Sequence, residues 1–160
     1  MPPWMLWSSI AAAAPQWTVQ VDPLTAALGY AHVQFERAVA PNWSVYLGPH
    51  LRLYDSVLDD TVEPFTGIGA EAGARWFWAG SAPAGGWVGA RGVAASLHAQ
   101  DTDTRTLGGY GSVLAGYTAI FNDRWVLSGG AGAQYIHYRV EEYGPKGFIP
   151  ALHTAIGVAF

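Results

Sequence analysis

From Trp17 onward, apolar side chains alternate with small or polar ones through most of the chain. An extended chain points successive side chains to opposite faces, so each alternating window predicts a strand with one greasy face and one polar face. The clearest runs from Trp43 to Tyr54, where Trp43, Val45, Leu47, Pro49, Leu51 and Leu53 oppose Ser44, Tyr46, Gly48, His50, Arg52 and Tyr54. Before it, Trp17, Val19 and Val21 oppose Thr18, Gln20 and Asp22. A second segment, Leu28 to Val39, sets Ala31, Val33 and Phe35 against Tyr30, His32, Gln34 and Glu36. Phe65 to Trp78 sets Ile68, Ala70, Ala72, Ala74, Trp76 and Trp78 against Gly67, Gly69, Glu71, Gly73 and Arg75. Gly86 to His98 is ambiguous in phase and is oriented by placing Arg91 on the polar side. Gly108 to Phe121, Trp125 to Tyr138 and Ala151 to Phe160 complete a set of eight segments. In the last, Leu152, Thr154, Ile156, Val158 and Phe160 share the greasier face.

The connections differ in kind. Pro41-Asn42, the stretch around Ala79 to Gly85 and Asn122-Asp123-Arg124 carry the Pro, Gly, Asn and Asp of short turns. Asp55 to Pro64, His98 to Leu107 and Arg139 to Phe148 are longer and hold most of the remaining charge, Lys146 included. Pro23 to Ala27 is a tight link. No segment has the period of an amphipathic helix, and no tandem repeat is visible. The pattern predicts an all-β, up-and-down antiparallel meander.

Composition narrows this. The length of 160 residues fits one domain. Hydrophobic residues make up 51% and charged residues only 12%. After the N-terminal segment, however, no apolar run approaches the roughly 18 to 20 residues of a membrane-spanning helix. A net charge of −4 without a basic cluster argues against nucleic acid as a partner. Cysteine is absent, which removes thiol nucleophiles, thiolate metal sites and disulfides. Residues 1–14, with an apolar stretch and the Ala12-Ala13-Ala14 run, read as a signal-peptide remnant without its positive region, and residues 15–160 as the barrel domain.

Two barrels accommodate eight such strands. A soluble lipocalin-like barrel turns its apolar faces inward, whereas a transmembrane barrel turns them to lipid and encloses its polar groups. The strand charges are few and balanced: Asp22, Glu36 and Glu71 against Arg52, Arg75 and Arg91. A solvated barrel face would carry many more, yet Lys146 is the only lysine. Trp17, Trp43, Trp76, Trp78, Trp87, Trp125 and Phe160 fall where segments meet short turns or a terminus, as an interfacial aromatic girdle requires. The expectation is therefore an eight-stranded antiparallel up-and-down transmembrane β-barrel. Its interior polar network would comprise Asp22, Glu36, Arg52, Glu71, Arg75, Arg91, His32 and His50.

Eight short strands, short turns at one end, longer acidic loops at the other and a final LHTAIGVAF resemble the small bacterial outer-membrane barrels of the OmpA/OmpX type. The stretch VQFERAVAPNWSVYLGPHLRL, Val33 to Leu53, is also similar to small outer-membrane families of unknown function. The resemblance implies a bacterial outer-membrane location, contact with membrane lipid and lipopolysaccharide, and recognition of Ile156, Val158 and Phe160 by the barrel-assembly machinery. The final strand departs from many such proteins in lacking a Tyr near its end.

An interior of eight strands is just wide enough for side chains to fill. That favours a plugged wall with a structural or surface-interaction role over a narrow conduit for small solutes. No cofactor or metal is expected: the five histidines have no metal-ligand spacing, and no Gly-rich phosphate loop precedes a helix. Ser96 and His98 share a face near the long-loop rim, and some outer-membrane barrels hydrolyse acyl chains with Ser, His and an acid. No acid falls beside them on the neighbouring strand, however, and only Asp101 or Asp103 is in reach from the loop. The pair reads as a strand end entering a polar loop, and no enzymatic activity is expected. The loop carboxylates Asp55, Asp59, Asp60 and Glu63 read as solvated surface, the alternative being weak binding of divalent cations or bridging to lipopolysaccharide through them.

Overall fold

A computed structural model describes residues 15–52, 65–99, 103–139 and 145–160. The strands are β1 (Trp17–Val21), β2 (Tyr30–Ala40), β3 (Trp43–Arg52), β4 (Phe65–Ser81), β5 (Ala84–Ala99), β6 (Arg105–Phe121), β7 (Trp125–His137) and β8 (Lys146–Ala159). Each pairs antiparallel with its neighbours in sequence, and β8 pairs with β1 to close the sheet into a barrel. Closure removes the exposed edge an open sheet would present. The proposed signal remnant, residues 1–14, lies outside the described residues, as do Tyr54, Asp55, Asp59, Asp60, Glu63 and Asp101.

The short turns fall at one end, as their chemistry predicts. Asn122 and Asp123 both adopt positive φ, 52° and 53°. Arg124 N donates to Phe121 O at 3.1 Å. Two left-handed central residues closed by that bond form a type I′ turn, whose twist matches that of the flanking strands. The β4–β5 connection is tighter than the sequence implied: only Ala82 and Pro83 separate the two strands. At the other end β8 begins at Lys146 instead of near Ala151, so Lys146 belongs to a strand and pairs with His137.

The first connection also differs. Asp22-Pro23 starts a short helix, α1 (Pro23–Ala27). Asp22 caps it, its Oδ1 accepting from Leu24 N at 3.0 Å and Thr25 N at 3.1 Å. Proline suits the first helical position because its missing N–H would have no partner there.

The faces are turned as the strand charges predicted. Leu47 and Ile68 lie on the outside, 65% and 66% exposed, with Phe35, Val45, Val113, Leu127, Leu152 and Ile156 also exposed. Glu36 and Arg75 lie inside, 0% and 2% exposed, with Asp22, His32, His50, Arg52, Glu71 and Arg91 buried around them. Glycines on the inner face make room for the large rings. A Cβ on Gly73 would sit 2.3 Å from Cζ of Tyr46, and one on Gly116 would sit 2.5 Å from Cζ2 of Trp87.

The interior is not uniformly polar. Near the turns Phe77, Trp87, Leu114 and Ala151 cluster, and towards the long loops Ala95, Leu97, Ala99, Ile136 and Tyr138 do so. The charged groups occupy the level between and around these clusters. Trp87 therefore departs from the girdle expectation: it is 1% exposed. The cause is parity. Trp87 and Arg91 are four residues apart in β5, share a face, and cannot lie on opposite sides of the wall.

Candidate functional site

Two linked polar groups fill the barrel. The first centres on Glu36 of β2. Its Oε2 accepts from Arg75 Nη1 at 2.8 Å, Gln20 Nε2 at 2.7 Å and Thr18 Oγ1 at 3.3 Å, and its Oε1 accepts from Ser44 Oγ. Arg75 reaches from β4 past β3 to make this pair. Its guanidinium also bonds Gln34 Oε1 at 3.2 Å and His153 Nε2 at 3.1 Å. It is sandwiched between the rings of Tyr46 and Trp87, each 4.8 Å from the guanidinium carbon. Enclosed in low dielectric, a charge is tolerated when its partners are complete, and here four donors and two aromatic faces complete them. Trp87 earns its inward place in the same group, donating Nε1 to Thr118 Oγ1 at 3.0 Å.

The second group lies nearer the long loops. His32 Nδ1 meets Glu71 Oε2 at 3.0 Å and His50 Nδ1 at 3.1 Å, and His50 Nε2 meets the Tyr138 hydroxyl at 3.1 Å. Arg52 lies over the Tyr30 ring at 5.6 Å and Arg91 over Tyr110 at 5.2 Å. Arg91 Nε donates to Ser112 Oγ at 3.1 Å. Asp22, besides capping α1, accepts from the Thr154 hydroxyl at 2.7 Å. Thus the eight residues expected inside are all inside, but they divide into separate arrangements. Glu36 and Arg75 pair directly, Glu71 takes His32 as its partner, and Asp22 serves the helix. His153, Gln20, Gln34 and Tyr46 complete the network on the same alternation.

Of the expected girdle, Trp17, Trp43, Trp76, Trp78, Trp125 and Phe160 are exposed on the outer face at the short-turn end. Trp43 pairs across the strands with Trp76, and Trp125 with Phe121. Trp17 and Phe160 exchange backbone bonds of 3.0 Å in both directions. At the loop end Tyr135 and Phe148 stack edge to face outside, with centroids 5.0 Å apart, whereas Tyr110 and Tyr138 turn inward.

At the loop-end rim His98 Nε2 lies 2.6 Å from Asp103 Oδ1. The hydrogen bond to His98 holds the Asp103 carboxyl below the usual carboxylate range. Ser96 shares the outer face of β5 with His98 but makes no hydrogen bond to it. Among the described residues no cluster of three or more His, Asp or Glu has the geometry of a metal site. Comparisons of the chain with protein-family models, with curated proteins and with solved structures each find no match.

Proposed function

We propose that the chain is an integral β-barrel protein of a bacterial outer membrane, of the OmpA/OmpX kind, with a plugged polar interior and a structural or surface-interaction role. One observation carries the reading: the barrel is inverted relative to a soluble one, with Leu47, Ile68, Leu127 and Ile156 outside and Glu36, Glu71, Arg75 and Arg91 inside. A wall of exposed branched aliphatics has a natural solvent in hydrocarbon and none in water. The aromatic residues at the short-turn rim fit the headgroup zone. Closure through β1 supports it too, since an open sheet edge has no solvent in lipid; beyond Val21, where β1 ends, α1 packs against β2 and β8 in its place.

In this reading membrane lipid contacts the outer face, and lipopolysaccharide phosphates meet the rim where Arg105 pairs across the strands with His98. The barrel-assembly machinery engages β8 through Ile156, Val158 and Phe160. The role is non-catalytic; Ser96 lacks a bond to His98 that would activate it as a nucleophile. The interior side chains leave the barrel as a wall, not a conduit. Purification and planar-bilayer recording test this together. The expected results are dependence on detergent, heat-modifiable gel migration and no conductance steps. Solubility without detergent would favour a lipocalin-like barrel, and steady unitary steps would favour a narrow conduit.

A further inference from the structure

The barrel wall is complete only in part of its height. β1 ends at Val21, opposite Val33 of β2 and Ile156 of β8. Beyond that level, Tyr30–His32 of β2 and Lys146–Ala155 of β8 have no β1 residue between them, and α1 stands in the gap, packed against both strands. The base of the gap is stitched by side chains: Thr154 Oγ1 donates to Asp22 Oδ1 at 2.7 Å and accepts from Leu24 N at 3.3 Å.

Above that stitch lies a cavity of about 270 Å³. Its lining joins inner-face residues, His32, Arg91 and Tyr110, to Leu28, Pro150 and Leu152 on the outside. A continuous hydrogen-bonded ladder would keep those two sets apart, because adjacent faces of a sheet do not communicate. The cavity therefore borders both the polar lumen and the greasy exterior at this gap.

Its inner end has unspent polar capacity. Arg91 is 5% exposed, its Nη1 has no hydrogen-bond partner, and no carboxylate lies within ion-pair distance of it among the described residues. His32 Nε2, in the same lining, is likewise buried and without a partner. Glu36 and Arg75 are bonded to one another, whereas Glu71, whose Oε1 is also buried without a partner, acts on Arg91 through charge alone. A buried guanidinium with a free donor is costly, and its planar fork matches a carboxylate better than any neutral head.

We infer that the gap between β2 and β8 is a binding site for a single-chain fatty carboxylate, its head held by Arg91 in the lumen and its tail leaving the barrel between Leu28 and Leu152. The volume sits just below the roughly 300 Å³ at which small-molecule sites begin, which suits one chain and not a two-chain lipid. The destination of the tail rests on the membrane reading above; the head site does not.

The test titrates dodecanoate and dodecan-1-ol by calorimetry into the full chain in phosphatidylcholine nanodiscs, with heat-modifiable migration checking that each variant is folded. The expected result is saturable binding of one dodecanoate per chain, with the alcohol weaker by about tenfold or more, as loss of a charge-assisted bond implies. Arg91→Gln removes that preference. Leu152→Trp, on the outer face and away from the charges, narrows the exit and weakens both ligands. No saturable binding, equal affinity for acid and alcohol, or an acid preference that survives Arg91→Gln overturns the inference. Should Arg91→Gln fail to fold, the acid–alcohol comparison in the unaltered protein and the Leu152→Trp variant decide. A chain that dissolves without detergent defeats the membrane reading alone, and the same titration in buffer must still show the acid preference.

Discussion

Replacing Glu36 with Ala removes the one carboxylate that Arg75, Gln20, Thr18 and Ser44 all address. The chief loss is not the pair itself but what remains. Arg75 keeps Gln34, His153 and two ring faces, yet its charge stays enclosed at 2% exposure with no counter-ion bonded to it. Breaking a buried pair from one side costs about 3–5 kcal/mol, whereas replacing both partners with well-packed apolar groups is often close to neutral. Glu36→Ala is therefore expected to lose about 3–5 kcal/mol. Glu36→Gln also leaves the guanidinium without a counter-ion but retains an acceptor for some of the donors, so its loss is expected at the lower end of that range, about 3 kcal/mol. The double change Glu36→Leu with Arg75→Met recovers most of the loss. Urea titration of the barrel refolded into lipid vesicles, followed by tryptophan fluorescence and checked by gel migration, reads all three. A Glu36→Ala variant within about 0.5 kcal/mol of the original, the range of ordinary surface substitutions, would refute the claim that the carboxylate is enclosed. A double variant no better than the single would refute the claim that the cost is the orphaned guanidinium.

Three further outcomes follow from the same geometry. Ile68→Arg is expected to cost about 2–4 kcal/mol in vesicles if its site faces the bilayer middle; a cost inside about 0.5 kcal/mol would place that face in water. Gly73→Val puts side-chain atoms where a Cβ alone would already lie 2.3 Å from Tyr46, and overpacking of this kind costs about 1–3 kcal/mol, read as a lowered urea midpoint; an unchanged midpoint would mean the Tyr46 ring has room to move. At the rim, the Asp103 carboxyl is held below its usual range by His98. A depressed acid stabilises its contact above the ordinary carboxylate range and loses it as pH falls through the lowered value, so the carboxyl carbon's NMR titration should lie below the usual carboxylate midpoint and return to it in His98→Ala.

Much of the fold was legible because it depends on parity alone. Tyr46, Glu71 and Arg75 sit inside, and Leu47, Ile68 and Trp76 outside, as a two-residue period requires. Where two cues on one strand conflict, parity must be applied to both: Arg91 inward already fixes Trp87 inward, and the turn-adjacent position of Trp87 was the misleading cue. The short helix α1 had a readable signal, an Asp followed by Pro, which is a helix start; its five residues leave too few positions for any period to show. The pairings inside the lumen were not legible. Glu36 meets Arg75 across an intervening strand because of how far the strands are staggered, and stagger is a property of closure that no single strand encodes. The gap between β2 and β8 was hidden for the same reason, since it arises from the short length of β1 relative to its neighbours.

The central claim is that the apolar face of each strand meets hydrocarbon. The chain contains no cysteine, so single Cys substitutions at Leu47, Ile68 and Ile156 can each carry a nitroxide spin label without background. In lipid vesicles, power-saturation measurements are predicted to show all three labels colliding more with oxygen, which partitions into hydrocarbon, than with a water-soluble nickel chelate. Labels that collide preferentially with the chelate, or with neither reagent, would contradict the account.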